Sequence, residues 1–127
     1  MLADYVPIPT LAVADLARAR EFYEGVLGFT AQGDVPEGVL YTGGASAFLV
    51  YPSAYAGTNK ATAMSFQVPD ASFDEEVARL RERGVVFQTF EMEGITWDDG
   101  VATWGPGRSV WFEDPDGNIV NVETGLA

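Results

Sequence analysis

The chain repeats its own opening, and that echo constrains the fold more than any other feature. One half begins Leu11-Ala12-Val13-Ala14-Asp15, continues in a helical pattern and reaches Gly28. The other begins Phe66-Gln67-Val68-Pro69-Asp70, continues in a helical pattern and reaches Gly84. Each is a strand, an aspartate, a helix and a glycine stop, repeated at close to half of the 127 residues. Such a duplication decides the fold before any single residue does. It predicts one domain of two modules, the first over about residues 5–55 and the second over about residues 60–125.

The first helix is predicted over Leu16–Leu27. Asp15 is a good N-cap, because its carboxylate can accept from the free N–H groups of the first turn. Leu16, Ala19, Phe22, Tyr23, Val26 and Leu27 share one face at helical spacing. The second helix is predicted over Phe73–Arg83, with Ser72 and Glu75 as a capping box and Phe73, Val77 and Leu80 as its apolar stripe. Gly28 and Gly84 can take the left-handed conformation that ends a helix. Strands are expected over Ile8–Val13, Gly38–Thr42, Ala45–Tyr51, Ala61–Val68, Val86–Glu93, Gly94–Trp97 with Val101–Trp104, Arg108–Glu113 and Asn118–Glu123. Asp114-Pro115-Asp116-Gly117-Asn118 is a strong turn and should join two antiparallel strands. Tyr51–Lys60, poor in periodic pattern, reads as the link between the modules.

Composition removes whole classes of chemistry. With no cysteine there is no disulfide, thiolate site or Cys nucleophile, and with no histidine there is no Ser-His-Asp triad or His-ligated metal. Asp and Glu outnumber Lys and Arg by 19 to 7, for a net charge of −12. That surface repels phosphate backbones, so nucleic acid is not an expected partner, whereas cationic small molecules are attracted. No apolar run approaches the about 20 residues that span a bilayer, and the opening Met1-Leu2-Ala3-Asp4-Tyr5 lacks the basic segment of a signal peptide. A cytoplasmic location is expected, the missing cysteines being compatible with it. The near absence of Lys beside Arg suggests a GC-rich bacterial genome.

Three segments in order carry a family resemblance: Val13-Ala14-Asp15-Leu16 with Phe22-Tyr23 and Val26-Leu27-Gly28-Phe29; Phe66-Gln67-Val68-Pro69-Asp70 with its helix and Gly84-Val85; and Trp111-Phe112-Glu113-Asp114-Pro115-Asp116-Gly117-Asn118. Together they resemble the vicinal-oxygen-chelate superfamily, which includes glyoxalase I, extradiol dioxygenases, fosfomycin-modifying enzymes and bleomycin-binding proteins. The resemblance implies an α+β fold of two tandem βαβββ modules, each a half-open mixed-sheet cup around a cavity, in a homodimer. In the metal-dependent members it implies ligands at equivalent strand positions of the two modules. Those positions fall here on Ile8, Ala63 and Asn121, and the segment Ser46–Tyr51 offers no acidic or imidazole side chain. Hydrocarbon side chains cannot ligate a divalent cation and a neutral amide is a poor anchor. No catalytic metal and no cofactor are therefore expected, although Glu123 shares a strand face with Asn121.

Without a metal, the cup becomes a binding pocket. Aromatic faces stack on flat ligands and attract cations. Trp97, Trp104 and Trp111 all fall in the second module, and at least one should line the pocket, while a core or dimer-interface role is the plainer account of any single one. Asn121 should point into the cup and could orient a ligand carbonyl or hydroxyl. Glu113 and Glu123 could supply negative charge, or be solvated strand ends. Thr10 and Gln67 share the strand parity of Ile8 and Ala63, and Tyr41 and Tyr51 are candidates to line the first cup. Arg108 is read as a surface ion pair in preference to an anion site. The leading expectation is a metal-free protein that holds an aromatic or cationic small molecule, as in antibiotic sequestration. The alternatives are a lyase, isomerase or dioxygenase with an atypical site, using Glu or Tyr as base, and an interaction role in which the aromatics serve a dimer interface.

Overall fold

Two sheets, each with one helical element against it, form the structure, a computed structural model that describes residues 1–125. Sheet one holds β1 (Thr10–Val13), β2 (Ala31–Val35), β3 (Gly38–Gly43) and β4 (Ser46–Pro52) in the order β1-β4-β3-β2. Sheet two holds β5 (Thr62–Gln67), β6 (Thr96–Asp98), β7 (Val101–Trp104), β8 (Gly107–Glu113) and β9 (Ile119–Glu123) in the order β5-β9-β8-β7-β6. β1 pairs with β4, and β5 with β9, in parallel, while every other pair is antiparallel. The duplicated opening is thus a duplicated topology. In both modules the strand before the helix returns beside the module's last strand, and the two mixed sheets with few helices make the fold α+β.

The first helix begins as expected. Asp15 Oδ1 accepts from the N–H groups of Ala17 and Arg18 at 2.9 and 3.2 Å. Only Leu16–Arg20 (α1) is α-helical, and Glu21–Val26 widens into a π-helical turn closed by the Leu27 N–H on the Phe22 carbonyl at 2.9 Å. The helix ends at Val26, which leaves its last carbonyls without intrahelical partners, and Arg83 donates to two of them, Gly25 O and Val26 O. The second helix, α2 (Asp70–Glu82), starts earlier than predicted, with Pro69 as N-cap. The Ser72–Glu75 capping box does not form, because Ser72 already lies inside the helix, and Glu75 instead receives Arg79 at 2.6 Å.

Two strand readings need correction. Val86–Glu93 is not a strand: its one ladder contact is the bridge Gln88–Trp111, and the remainder runs as an irregular strap across the end of sheet two. β2 was not foreseen. Its sequence Ala-Gln-Gly-Asp-Val is polar and carries a glycine, and it forms as an edge strand with a bulge between Ala31 and Gly33, where burial demands least of the side chains.

The core lies on the helix-facing side of both sheets. Leu11, Val13, Val39, Tyr41, Phe48 and Val50 from sheet one meet Met64, Val110, Phe112, Val120 and Val122 from sheet two, with Ala19, Tyr23, Phe73 and Val77 between. The Asp114–Asn118 turn does join β8 to β9, and it also locks the modules together. Buried Asp114 accepts the Tyr23 hydroxyl at 2.8 Å, Asp116 accepts the Ala14 N–H and the Arg18 guanidinium, and the Asn118 amide donates to the Ala12 carbonyl. Burial first, and then the Asp114 carboxylate, raise the Tyr23 phenol far above its ordinary pKa, so it stays protonated.

Candidate functional site

Strand alternation leaves one face of sheet two away from the helices. The cross-strand pairs Trp111–Asn121, Ser65–Asn121, Ser109–Glu123, Gln67–Glu123 and Trp97–Ala102 put all of these residues on that face. It divides into an aromatic half and a polar half.

Trp111 is the hub of the aromatic half. Its ring lies 6.1 Å from Trp97, 6.2 Å from Trp104 and 4.8 Å from Phe90, measured between centroids. Phe90 also meets Trp97 edge-on at 5.3 Å. The Trp111 indole is held by its Nε1–H on Thr62 Oγ1 at 3.2 Å. Gly107, opposite Trp104 in the β7–β8 pairing, has no side chain because a Cβ there would press the Trp104 ring at 3.3 Å. Beside the cluster is a hollow of about 750 Å³ walled by Thr62, Gln88, Phe90, Met92, Trp111 and Ile119. A second, shallower hollow of about 760 Å³ along the strap is lined by Phe90, Glu91, Met92, Glu93, Ile95 and Trp97.

The polar half is a chain of hydrogen bonds. Gln67 Nε2 donates to Glu123 Oε1 at 2.7 Å and to Ser65 Oγ at 3.0 Å, and Ser65 Oγ stands 2.5 Å from Asn121 Oδ1. Asn121 Nδ2 donates inward to Ser109 Oγ and to the Val110 carbonyl at 3.2 Å. The Asn121 amide is therefore committed to its own protein, where it holds Ser65, which with Gln67 fixes Glu123. Glu123, half-buried, keeps its second carboxylate oxygen for other partners among the described residues.

The structure thus brings together Trp97, Trp104, Trp111, Asn121, Glu123 and Gln67. Thr10 and Tyr51 sit on the corresponding face of sheet one, on the edge pair β1–β4, apart from the aromatic cluster. Tyr41 is corrected. It lies fully buried on the helix side of β3, packs on Tyr23 and Phe48, and donates its hydroxyl to Glu24 Oε2 at 2.9 Å, so it cannot line a cup. With Arg20 first and Tyr41 second, these hydrogen bonds hold the Glu24 carboxyl below the usual range. Glu113 is exposed and borders a different hollow, of about 440 Å³, with Phe22, Arg83 and Gln88. Arg108 lies over the Phe73 ring and pairs with Asp70 and Asp74, as a structural ion pair would. Sequence reasoning missed Ser65 and Ser109, which the parity of Gln67 and Trp111 would have indicated, and Phe90 and Met92, which were assigned to a strand.

The protein-family model of the Glyoxalase/Bleomycin resistance protein/Dioxygenase superfamily matches residues 5–122. The chain belongs to this superfamily. Among solved structures it is similar to a glyoxalase/bleomycin resistance protein/dioxygenase from Alicyclobacillus acidocaldarius (16% identity, 98% of this chain and 93% of that one, TM-score 0.73). It is also similar to the fosfomycin resistance protein FosX from Mesorhizobium loti (20% identity, 97% and 93%, TM-score 0.68). A third is lactoylglutathione lyase from Agrobacterium tumefaciens (22% identity, 95% and 93%, TM-score 0.67). Identities this low show a shared fold. No curated protein matches the chain.

The metal that many superfamily members carry does not fit the residues present. Ile8 and Ala63 offer hydrocarbon, the Asn121 amide is hydrogen-bonded within the sheet, and Glu123 is the one carboxylate beside it. Among the described residues, no group of three or more His, Cys, Asp or Glu side chains is placed to hold a metal ion. Nor, among them, is any helix long and apolar enough to cross a membrane.

Proposed function

We propose that this chain is a small-molecule-binding protein that uses its indole face to hold a planar, cationic ligand without a metal, in a role such as sequestering an antibiotic. The observation that carries the reading is the convergence of Trp97, Trp104 and Trp111 on one sheet face, beside the fixed carboxylate of Glu123. A flat ring laid on such a cluster gains area and quadrupole complementarity, and a positive charge on it gains about 0.5–2 kcal/mol per face-on indole. The net charge of −12 favours the same ligand at longer range. A homodimer is part of the proposal, since half-open sheets leave edges that need covering.

Fluorescence titration tests it. Proflavine, a planar aromatic cation, should bind saturably and quench the tryptophans, and anthracene-9-carboxylate, a planar anion of the same width, should bind at least about ten-fold more weakly. Equal affinities, or an unmoved tryptophan signal, would refute the reading. Elemental analysis of untagged protein addresses the enzyme alternative, which the likeness to lactoylglutathione lyase and FosX supports at the level of fold. A divalent metal at one equivalent per chain would favour a lyase, isomerase or dioxygenase with relocated ligands.

A further inference from the structure

Phe90 stands in an unusual relation to the indoles. Its ring meets Trp97 at an interplanar angle of 80° and Trp111 at 76°, an edge-to-face contact with both, and it is still 38% exposed. A ring held within 4.8–5.3 Å of two indoles, and nearly perpendicular to both, takes up space against them that a ligand lying flat on the cluster would need. The backbone that carries it is held loosely. Among the described residues, the backbone hydrogen bonds between Gln88 and Ile95 are the Gln88 N–H on the Trp111 carbonyl at 2.8 Å and a long internal Ile95 N–H to the Met92 carbonyl at 3.4 Å. No regular element includes Thr89–Gly94, Gly94 has φ of +82°, and Met92 is 59% exposed. Hollows of about 760 and about 750 Å³ adjoin this strap, both bordered by Phe90 and Met92.

We infer that Phe90 is a self-ligand: its side chain plugs the indole face in the free protein, and a planar ligand binds by displacing it as the strap Thr89–Gly94 swings aside about Gln88 and Gly94. This rests on the binding function proposed above and adds a selectivity rule to it. Only ligands that recover more from the indoles than Phe90 does can open the site, which excludes small or non-planar apolar molecules. The apparent affinity is lowered by the fraction of molecules in which the plug is closed, so removing the ring should tighten binding. A phenylalanine that belonged to the binding surface would have the opposite effect.

The test is proflavine binding, followed by anisotropy of the dye, to wild type and to Phe90→Ala, with amide hydrogen exchange of wild type measured with and without dye. The plug predicts binding about ten-fold tighter in Phe90→Ala, as for a site open in about one molecule in ten. It also predicts that the amides of residues 89–94 exchange within seconds in the free protein. Weaker binding by Phe90→Ala, or protected amides in the free strap, would overturn the inference and leave the binding function standing. Failure of both proteins to bind the dye would overturn the two together.

Discussion

Tyr23→Phe removes a single oxygen from the junction between the modules, and its consequence can be worked from the structure. The Tyr23 hydroxyl donates to Asp114 Oδ2 at 2.8 Å, with Tyr23 at 0% exposure and Asp114 at 4%. A buried hydrogen bond to a charged acceptor is worth about 1.5–3 kcal/mol. Oδ2 keeps the Asn118 amide at 2.8 Å, and the ring contacts with Phe22, Tyr41 and Phe48 survive in phenylalanine. The variant should therefore lose about 2 kcal/mol at pH 8. High pH then reverses the order. The phenol of the folded state is held far above its ordinary value of 10.0, by burial first and by Asp114 second. The stability it contributes is whole below pH 10 and falls as the unfolded chain ionises, by about 1.4 kcal/mol per pH unit. Tyr23→Phe has no such group, so the gap should shrink to under about 1 kcal/mol at pH 11 and invert by about pH 12. Urea unfolding followed by circular dichroism at pH 8 and pH 11 measures it. A gap that stays constant between the two pH values would show that Tyr23 is not a buried neutral donor, and the account of the junction would fail.

Trp111→Ala should weaken proflavine binding more than Trp104→Ala, by about ten-fold or more against a few-fold, because Trp111 touches both Trp97 and Trp104; equal effects in anisotropy titrations would contradict the hub. Gly38→Ala should abolish soluble folded protein or cost more than about 3 kcal/mol, since a Cβ there would overlap the Val50 carbonyl oxygen, a backbone atom in the adjacent strand; near-native thermal unfolding would contradict the β3–β4 geometry. Arg18→Ala should destabilise by about 1 kcal/mol, discounted because Arg18 is half-exposed although Asp116 is buried; an unchanged urea midpoint would show that the pair is immaterial.

The parts of the fold that were legible are those fixed locally. The Asp15 cap, the glycine stops and the Asp-Pro-Asp-Gly-Asn turn each follow from short-range chemistry, and each appears. The failures come where tertiary packing decides. Val86–Glu93 alternates like a strand, but β7 occupies the flank of β8 at Arg108 and Ser109, leaving this segment a single bridge at Trp111. The sequence of β2 has little strand character, and its edge pairing to β3 supplies what propensity does not. In the site, strand parity points to Gln67 and the family resemblance to Asn121, and the register across β5, β9 and β8 puts both on one face with Trp111. Tyr41 has no parity argument for lining the first cup, and it shares the buried face of β3 with Val39.

β8 shows how the fold can keep its stability while its open face changes chemistry. Val110 and Phe112 point into the core, Ser109 and Trp111 point to the open face, and the two sets alternate along seven residues. The forces that hold the modules together, the shared core and the Asp114–Asn118 junction, therefore lie on the helix side of the strand. Side chains on the open side touch that core little. Phe112→Ala should then cost about 3–5 kcal/mol, the usual penalty for emptying a buried aromatic site. Trp111→Ala, from a half-exposed face, should cost about 1–2 kcal/mol while weakening proflavine binding. A fold arranged this way carries its stability on the helix side, so the side chains of the open face can change at small cost. Comparable destabilisation by the two β8 substitutions in urea would mean that the indole cluster is a second core, and the binding site would have to be sought elsewhere.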